Sequence, residues 1–172
     1  MKLSKIISLC KSSKYMQIEY DHINKIQYIS DGRAIYFVEG IPELNENNVC
    51  QLYGINKDKI RIDTFEEEVS ELIDGTGIEL DDLFYSFELS FKDCRVVIFK
   101  GDKGSYCINK MHLSPFVDNT EYLKFEYQYG YVAVKEGLIK RAIIPVINIA
   151  SNSLLTELNT LLDDFNKNVK GN

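Results

Sequence analysis

Histidine and cysteine are the side chains of this chain best suited to chemistry at neutral pH, and both are few. There are two histidines and four cysteines among 172 residues. His112 could act with a serine and an aspartate, but the chain has no nucleophile-elbow sequence and no feature that pairs a serine with this histidine. His22 follows an acid in a predicted loop. We interpret both as surface or loop histidines and expect no enzymatic activity.

The spacing of the cysteines favours structural thiols over a metal site. They stand at positions 10, 50, 94 and 107, without a CxxC pair, and histidines and cysteines together are too scattered to converge on zinc. Each cysteine has apolar neighbours, which favours buried free thiols in a reducing compartment; two disulfides are the alternative. We expect neither a metal nor another cofactor.

Two glycine-containing segments, 74–77 and 101–105, superficially resemble phosphate-binding loops. A phosphate loop has the spacing GxxxxGK[ST] and runs into a helix whose N-terminus faces the anion. Segment 101–105 lacks that spacing and joins two predicted strands, so it predicts a hairpin turn. No small-molecule substrate is evident.

One acidic stretch accounts for more than the whole net charge of −6. It contains nine acids and no lysine or arginine: Asp63, Glu66, Glu67, Glu68, Glu71, Asp74, Glu79, Asp81 and Asp82. Removing those nine from the totals of 26 acids and 20 bases leaves 17 acids against 20 bases, so the overall acidity does not exclude nucleic acid. The stretch could hold a cation, imitate a phosphate backbone, or be a solvated loop.

The first 14 residues form a basic segment with four lysines: Lys2, Lys5, Lys11 and Lys14. No acid precedes Glu19. Apolar residues at 3, 6, 7 and 10 predict a helix over 2–13, whose stripe packs on a sheet while the lysines face outward. We predict these lysines as DNA contacts; a solvated helix face is the alternative.

The 11 tyrosines also suggest stacking on single-stranded nucleic acid. Tyr127 and Tyr129, however, alternate in phase with Leu123 and Phe125 along a predicted strand. This pattern favours core packing for both tyrosines.

The remaining patterns supply the elements that position these residues. Strands are predicted at 15–20 and 59–65, and two further strands within 26–40 are predicted to meet at a two-residue type I′ turn at Asp31-Gly32. Asn45 and Gly54 delimit a short helix. Alternation predicts further strands from 85 to 149, and a leucine-rich stripe over 154–169, capped by serines at 151–153, predicts a final helix.

This order predicts an α+β protein with mostly antiparallel sheet and helices packed on one face. We divide the chain into a helix-plus-hairpin half at 1–65, an acidic connection at 66–82 and a β half with its helix at 83–172, together forming one compact unit. No apolar run approaches the length of a membrane span, and the N-terminal apolar run is too short for a signal peptide, so we expect a cytoplasmic protein without membrane contact.

Two stretches resemble known proteins. YISDGRAIYFVEGIPELNENNVCQLYGI is similar to small, poorly characterised phage and prophage proteins of Gram-positive gut bacteria. YGYVAVKEGLIKRAIIPVINIA resembles the last strands of bacterial sliding-clamp domains, where a hairpin ends in an apolar strand that carries a proline. Clamp domains combine lysine-bearing helices with antiparallel sheets, so the resemblance implies that the first helix faces DNA.

The resulting hypothesis is a non-enzymatic, replication-associated binding module of a phage or mobile element, with DNA or a replication protein as its partner. A chain this short would surround DNA only by assembling into a homo-oligomer. The alternative is a protein-binding inhibitor or host-takeover factor that acts through its acidic segment.

Overall fold

The computed structural model describes residues 1–65, 81–90, 94–116 and 122–147. The predicted C-terminal helix and most of the acidic stretch lie outside the described residues. What is described is α+β, as the sequence predicts: three helical segments accompany one sheet whose strands are mostly antiparallel.

The structure describes three helical segments, of which the sequence predicts the first two. They are α1 (Leu3–Ser13), α2 (Glu46–Tyr53) and a 3-10 helix (Lys110–Phe116). The Asn45 side chain accepts hydrogen bonds from the backbone of Asn47 and Asn48, and the Asn48 side chain accepts one from the Asn45 N–H, which closes a capping box. Gly54 then adopts a left-handed conformation that ends α2.

The described strands form one ten-stranded sheet. Their bounds are β1 Tyr15–Asp21, β2 Ile26–Ser30, β3 Ile35–Glu39, β4 Arg61–Asp63, β5 Asp81–Ser90, β6 Arg95–Lys100, β7 Ser105–Asn109, β8 Leu123–Gln128, β9 Tyr131–Glu136 and β10 Ile139–Pro145. The order across the sheet is β4-β1-β2-β3-β10-β9-β8-β5-β6-β7. Neighbouring strands are antiparallel except β1 and β4, which are parallel. Strand β4 is shorter than the predicted 59–65.

Strand β5 belongs to two ladders. Its first three residues pair with β8, and the residues from Phe84 onward pair with β6 across a register shift between Tyr85 and Phe87. The shift bends the strand, as bulges do. Beyond β10, the Ile147 N–H donates to the Cys107 carbonyl of β7, 2.7 Å away, so the β5–β7 part of the sheet reaches back to the chain after β10.

A single main core joins the helices to both halves of the sheet. It takes Ile6 and Cys10 from α1, Val49 from α2, Phe116 from the 3-10 helix and Phe99 from β6. Helices that share one apolar cluster lie on the same face of the sheet, which agrees with the predicted arrangement.

The β2–β3 connection differs from the predicted type I′ turn at Asp31-Gly32. Ser30 and Ile35 are the last paired residues, so the loop has four residues, and within it only Gly32 has a positive φ, +84°. The Asp31 carboxylate instead accepts hydrogen bonds from the backbone N–H groups of Arg33 (3.1 Å) and Ala34 (2.9 Å). This side-chain bonding stabilises a wider loop.

Candidate nucleic-acid interface

Helix α1 rests on the core by one stripe and shows serines on the opposite side. Ile6, Ile7, Leu9 and Cys10 are buried. Ser4, Ser8 and Ser12, spaced four residues apart, are exposed, and the Ser8 hydroxyl donates to the Ser4 carbonyl at 2.8 Å. At 3.6 residues per turn this spacing places the serines along one face.

The four predicted lysines are all exposed on or beside this helix. Lys5 and Lys11 lie about 120° apart around the helix axis, one on each side of the serine row. The Lys11 ammonium group donates to the Tyr53 carbonyl at the end of α2, 2.7 Å away. Lys2 and Lys14 occupy the two cap positions, Lys14 with a φ of +58°. The lysines therefore surround a hydroxyl surface rather than form a single row.

This surface has the chemistry of a phosphate contact. Lysine ammonium groups and serine hydroxyls are among the side chains that bind phosphate oxygens in protein–DNA complexes. Helix α1 itself carries no carboxylate, since none occurs before Glu19. The backbone N–H of Lys2 donates to the Pro115 carbonyl at 2.7 Å, which fixes the start of α1 against the 3-10 helix.

His112 is neither a surface nor a loop residue, so that interpretation was wrong. It lies in the 3-10 helix, 2% exposed, with its Nδ1 3.3 Å from the Tyr36 hydroxyl and 3.6 Å from Asp31 Oδ2. The Tyr36 hydroxyl is also within 3.2 Å of the His112 carbonyl. Asp31 Oδ2 is buried without a hydrogen-bond partner among the described residues.

The environment of this cluster suppresses charge and reactivity. Burial lowers the pKa of His112; the Asp31 carboxylate opposes the shift and Arg33 adds to it. Burial, reinforced by Asp31, raises the pKa of the Cys10 thiol to about 12, and the same causes raise that of Tyr36. Side chains this deeply buried are closed to a substrate. The sequence offered one signal for the cluster, an aspartate at the turn of a buried hairpin.

The remaining cysteines are free, as predicted, but only in part buried. Cys107 is buried, which raises its pKa to about 11, with a smaller contribution from Cys94. Cys50 and Cys94 are half-buried. The other histidine, His22, is exposed and lies edge-on to Tyr20, with ring centroids 5.1 Å apart.

The turn at 101–105 is a hairpin turn, as predicted, and its backbone N–H groups donate to a carboxylate of the protein itself. Asp81 accepts hydrogen bonds from the backbone N–H groups of Asp102 (2.9 Å) and Lys103 (3.1 Å) and from the Tyr106 hydroxyl (3.1 Å). Burial alone would raise the pKa of Asp81, but these donors outweigh it and hold the pKa below its usual value. The backbone N–H groups that could bind a phosphate therefore already bind the Asp81 carboxylate.

Tyr127 and Tyr129 do not share one environment. Tyr127 is half-buried and stacked on Tyr106, with ring centroids 4.0 Å apart and planes at 20°. Tyr129 is 72% exposed, so its predicted core position is wrong. Strand β8 ends at Gln128, and Tyr129-Gly130 forms the two-residue turn to β9 with φ angles of +45° and +83°. The type I′ turn expected at Asp31-Gly32 occurs here instead.

Comparisons with protein-family models, with curated proteins and with solved structures each found no match. Among the helices that the structure describes, none is long and apolar enough to cross a membrane. The described residues likewise contain no group of three or more histidine, cysteine or acidic side chains that could hold a metal ion.

Proposed function

We propose that this protein is a non-enzymatic DNA-binding module of a phage or other mobile element, which contacts phosphates through α1. The observation that carries the proposal is the solvent face of α1, where serines are flanked by lysines and carboxylates are absent. The helix is fixed on a sheet by a buried apolar stripe, so its outward face is presented rigidly. Rigid presentation reduces the ordering cost of binding.

The clamp-like and replication-associated form of the proposal rests on the sequence resemblance. The hairpin of β9 and β10, which ends in an apolar strand at Pro145, is the feature that this resemblance implies. A clamp-like role also requires several copies to assemble around the duplex. The partner is then DNA, with a replication protein as a further partner of the same assembly.

The alternative function, inhibition of a basic partner through the acidic segment, has less support from the described residues. Asp63 is paired with Arg61 at 2.7 Å, and Asp81 is committed to the β6–β7 turn. Of the three described acids in the stretch, only Asp82 is both exposed and without such a role. If a chain lacking residues 66–78 retained full binding to a partner captured from cells, this alternative would fail.

Fluorescence anisotropy with a labelled DNA duplex tests the proposal. Alanine at Lys2, Lys5, Lys11 and Lys14 should weaken binding and reduce the slope of log K against log salt by about 0.9 for each phosphate that the variant no longer neutralises. The matched control carries alanine at four exposed lysines elsewhere: Lys57, Lys59, Lys100 and Lys124. Circular dichroism verifies that both variants are folded. Equal affinity and equal slope in the α1 variant and the native chain would refute the proposal.

A further inference from the structure

Tyr129 is held in a conformation that its side chain does not favour. It occupies the first position of the β8–β9 turn with a φ of +45°, where asparagine, aspartate or glycine is preferred and a bulky side chain is rare. Its ring is 72% exposed and so contributes little to the core. Unfavourable backbone conformations of this kind concentrate at sites that bind ligands.

The hairpin that carries this turn is fixed by another pair of tyrosines. Two residues before Tyr129, Tyr127 stacks on Tyr106, and both pack against the main core. The Tyr106 hydroxyl donates to Asp81 at 3.1 Å. Tyr131, the first residue of β9, is opposite Gln128 and therefore lies on the other face of the sheet from Tyr127. The exposed Tyr129 ring thus stands at the end of a fixed hairpin.

Strand register places Tyr129 at the same end of the sheet as two exposed basic residues. Ile143 of β10 lies opposite Ile35, and the Val146 N–H donates to the Gly130 carbonyl at 2.8 Å. The β2–β3 loop with Arg33 thus ends beside the β8–β9 turn. Lys14 is at this end as well, because β1 begins at Tyr15 and pairs with the last residues of β2.

The basic groups and the tyrosine follow one path across the sheet. From β1 to β9 there are four strand spacings, so Lys14 and Tyr129 are on the order of 20 Å apart. Arg33 lies between them in strand order, and Arg33 and Lys14 are both exposed. The Asp31 carboxylate in the same loop is turned into the protein, with a side-chain exposure of 1%, and presents no negative charge to the path.

We propose that Tyr129 is a stacking platform for an unpaired base, and that the path through Arg33 to Lys14 carries the phosphates of the same single strand. A base in a duplex is stacked on its neighbours and hidden from such a ring, whereas an unpaired base offers a free π-face. This inference rests on the proposed DNA-binding function and adds a single strand, or the single-stranded arm of a junction, to the duplex as a ligand of the protein.

The test compares a fluorescein-labelled oligothymidine with a duplex of the same length, titrated against the full chain. Tyr129→Asn should weaken oligothymidine binding about tenfold, the loss expected for one base stack, and leave duplex binding unchanged. Tyr129→Phe keeps the ring and should bind within about twofold of the native chain. Tyr122→Asn, which removes a ring that is 73% exposed near the opposite end of the sheet, should have no effect.

Misfolding cannot mimic this result, because asparagine suits the turn better than tyrosine does. Tyr129→Asn should unfold at the same or a higher urea concentration than the native chain. If Tyr129→Asn bound oligothymidine as tightly as the native chain does, the proposal that Tyr129 stacks an unpaired base would be refuted. If the variant with alanine at the four α1 lysines nevertheless bound DNA more weakly than the native chain, the proposed DNA-binding function would stand without the stacking role of Tyr129. If the native chain bound neither probe, the proposed function would fail and the platform with it.

Discussion

The buried group of Asp31, Tyr36 and His112 links two distant parts of the chain. Asp31 belongs to the β2–β3 loop and His112 to the 3-10 helix, and Tyr36 of β3 reaches the His112 ring and backbone. Two charged groups act on the imidazole: the Asp31 carboxylate favours its protonation, and the Arg33 guanidinium disfavours it. Desolvation dominates, so the folded protein resists a proton at this site.

Stability should therefore fall as the pH drops below the pKa of an unfolded histidine, about 6.5. In that range the unfolded chain takes up a proton that the folded chain resists, and the free energy of unfolding decreases until the lowered pKa of His112 is reached. Urea denaturation at several pH values between neutral and acidic measures how steeply the free energy of unfolding falls with pH. In His112→Gln this fall should be shallower than in the native chain, whatever the change in stability at neutral pH.

The exposed histidine supplies the control for this experiment. His22→Gln removes the only other imidazole of the chain and should keep the slope of the native protein. A native slope in His112→Gln would show that the acid sensitivity arises elsewhere.

At the scale of elements, the β6–β7 turn depends on a close approach between Gly101 and Asp81. A Cβ atom added at Gly101 would lie 2.6 Å from the Asp81 Cγ, well inside a van der Waals contact. The Asp81 side chain is short, buried and held by three hydrogen bonds, so it cannot withdraw without giving them up. Glycine is required at 101 for space.

Gly101→Ala should destabilise the protein by about 1–3 kcal/mol, the usual range for overpacking in a filled site. Gly104→Ala, in the same turn, is the matched control, since an added Cβ there meets no atom within 4 Å. Its effect should stay within about 0.5 kcal/mol, as for other surface substitutions. Urea denaturation monitored by circular dichroism compares the two, and equal stability of both variants would contradict the proposed role of Asp81.

The sequence predicts elements better than it predicts the partners of individual side chains. Helix α1, the capped α2 and the alternating strands follow from periodicity and caps, which are local properties. The contact of His112 with Asp31 spans 81 positions and leaves no local pattern. Alternation placed Tyr129 in the core, but β8 ends at Gln128, and Tyr129 belongs to the tight turn that Gly130 permits.

At the scale of the whole molecule, the two ends of the sheet differ in character. One end carries Lys14, Arg33 and Tyr129 on its turns and loops. The other exposes Ile23 in the β1–β2 turn and Leu138 in the β9–β10 turn, which are 91% and 95% accessible. The exposed side chains of the two ends therefore differ, and Lys14 and Arg33 lie at the end where α1 finishes.

The clamp-like form of the proposed function predicts a defined oligomer in solution. Light scattering behind a sizing column should give a mass of at least two copies of the 19.8 kDa chain, constant over a range of loading concentrations. A monomer at every concentration would exclude an encircling assembly. Phosphate contact by α1 would then be judged by the lysine variants alone, since it needs a single copy.

The shared strand β5 has a consequence for how the sheet unfolds. Its first residues supply hydrogen bonds to β8 and the rest supply them to β6, so neither ladder can open fully without disturbing the strand that completes the other. Local opening elsewhere, as at the short β4, leaves this strand intact. Amide protons on β6 and β8 should therefore exchange with deuterium through a common opening event, and the two ladders form one foldon.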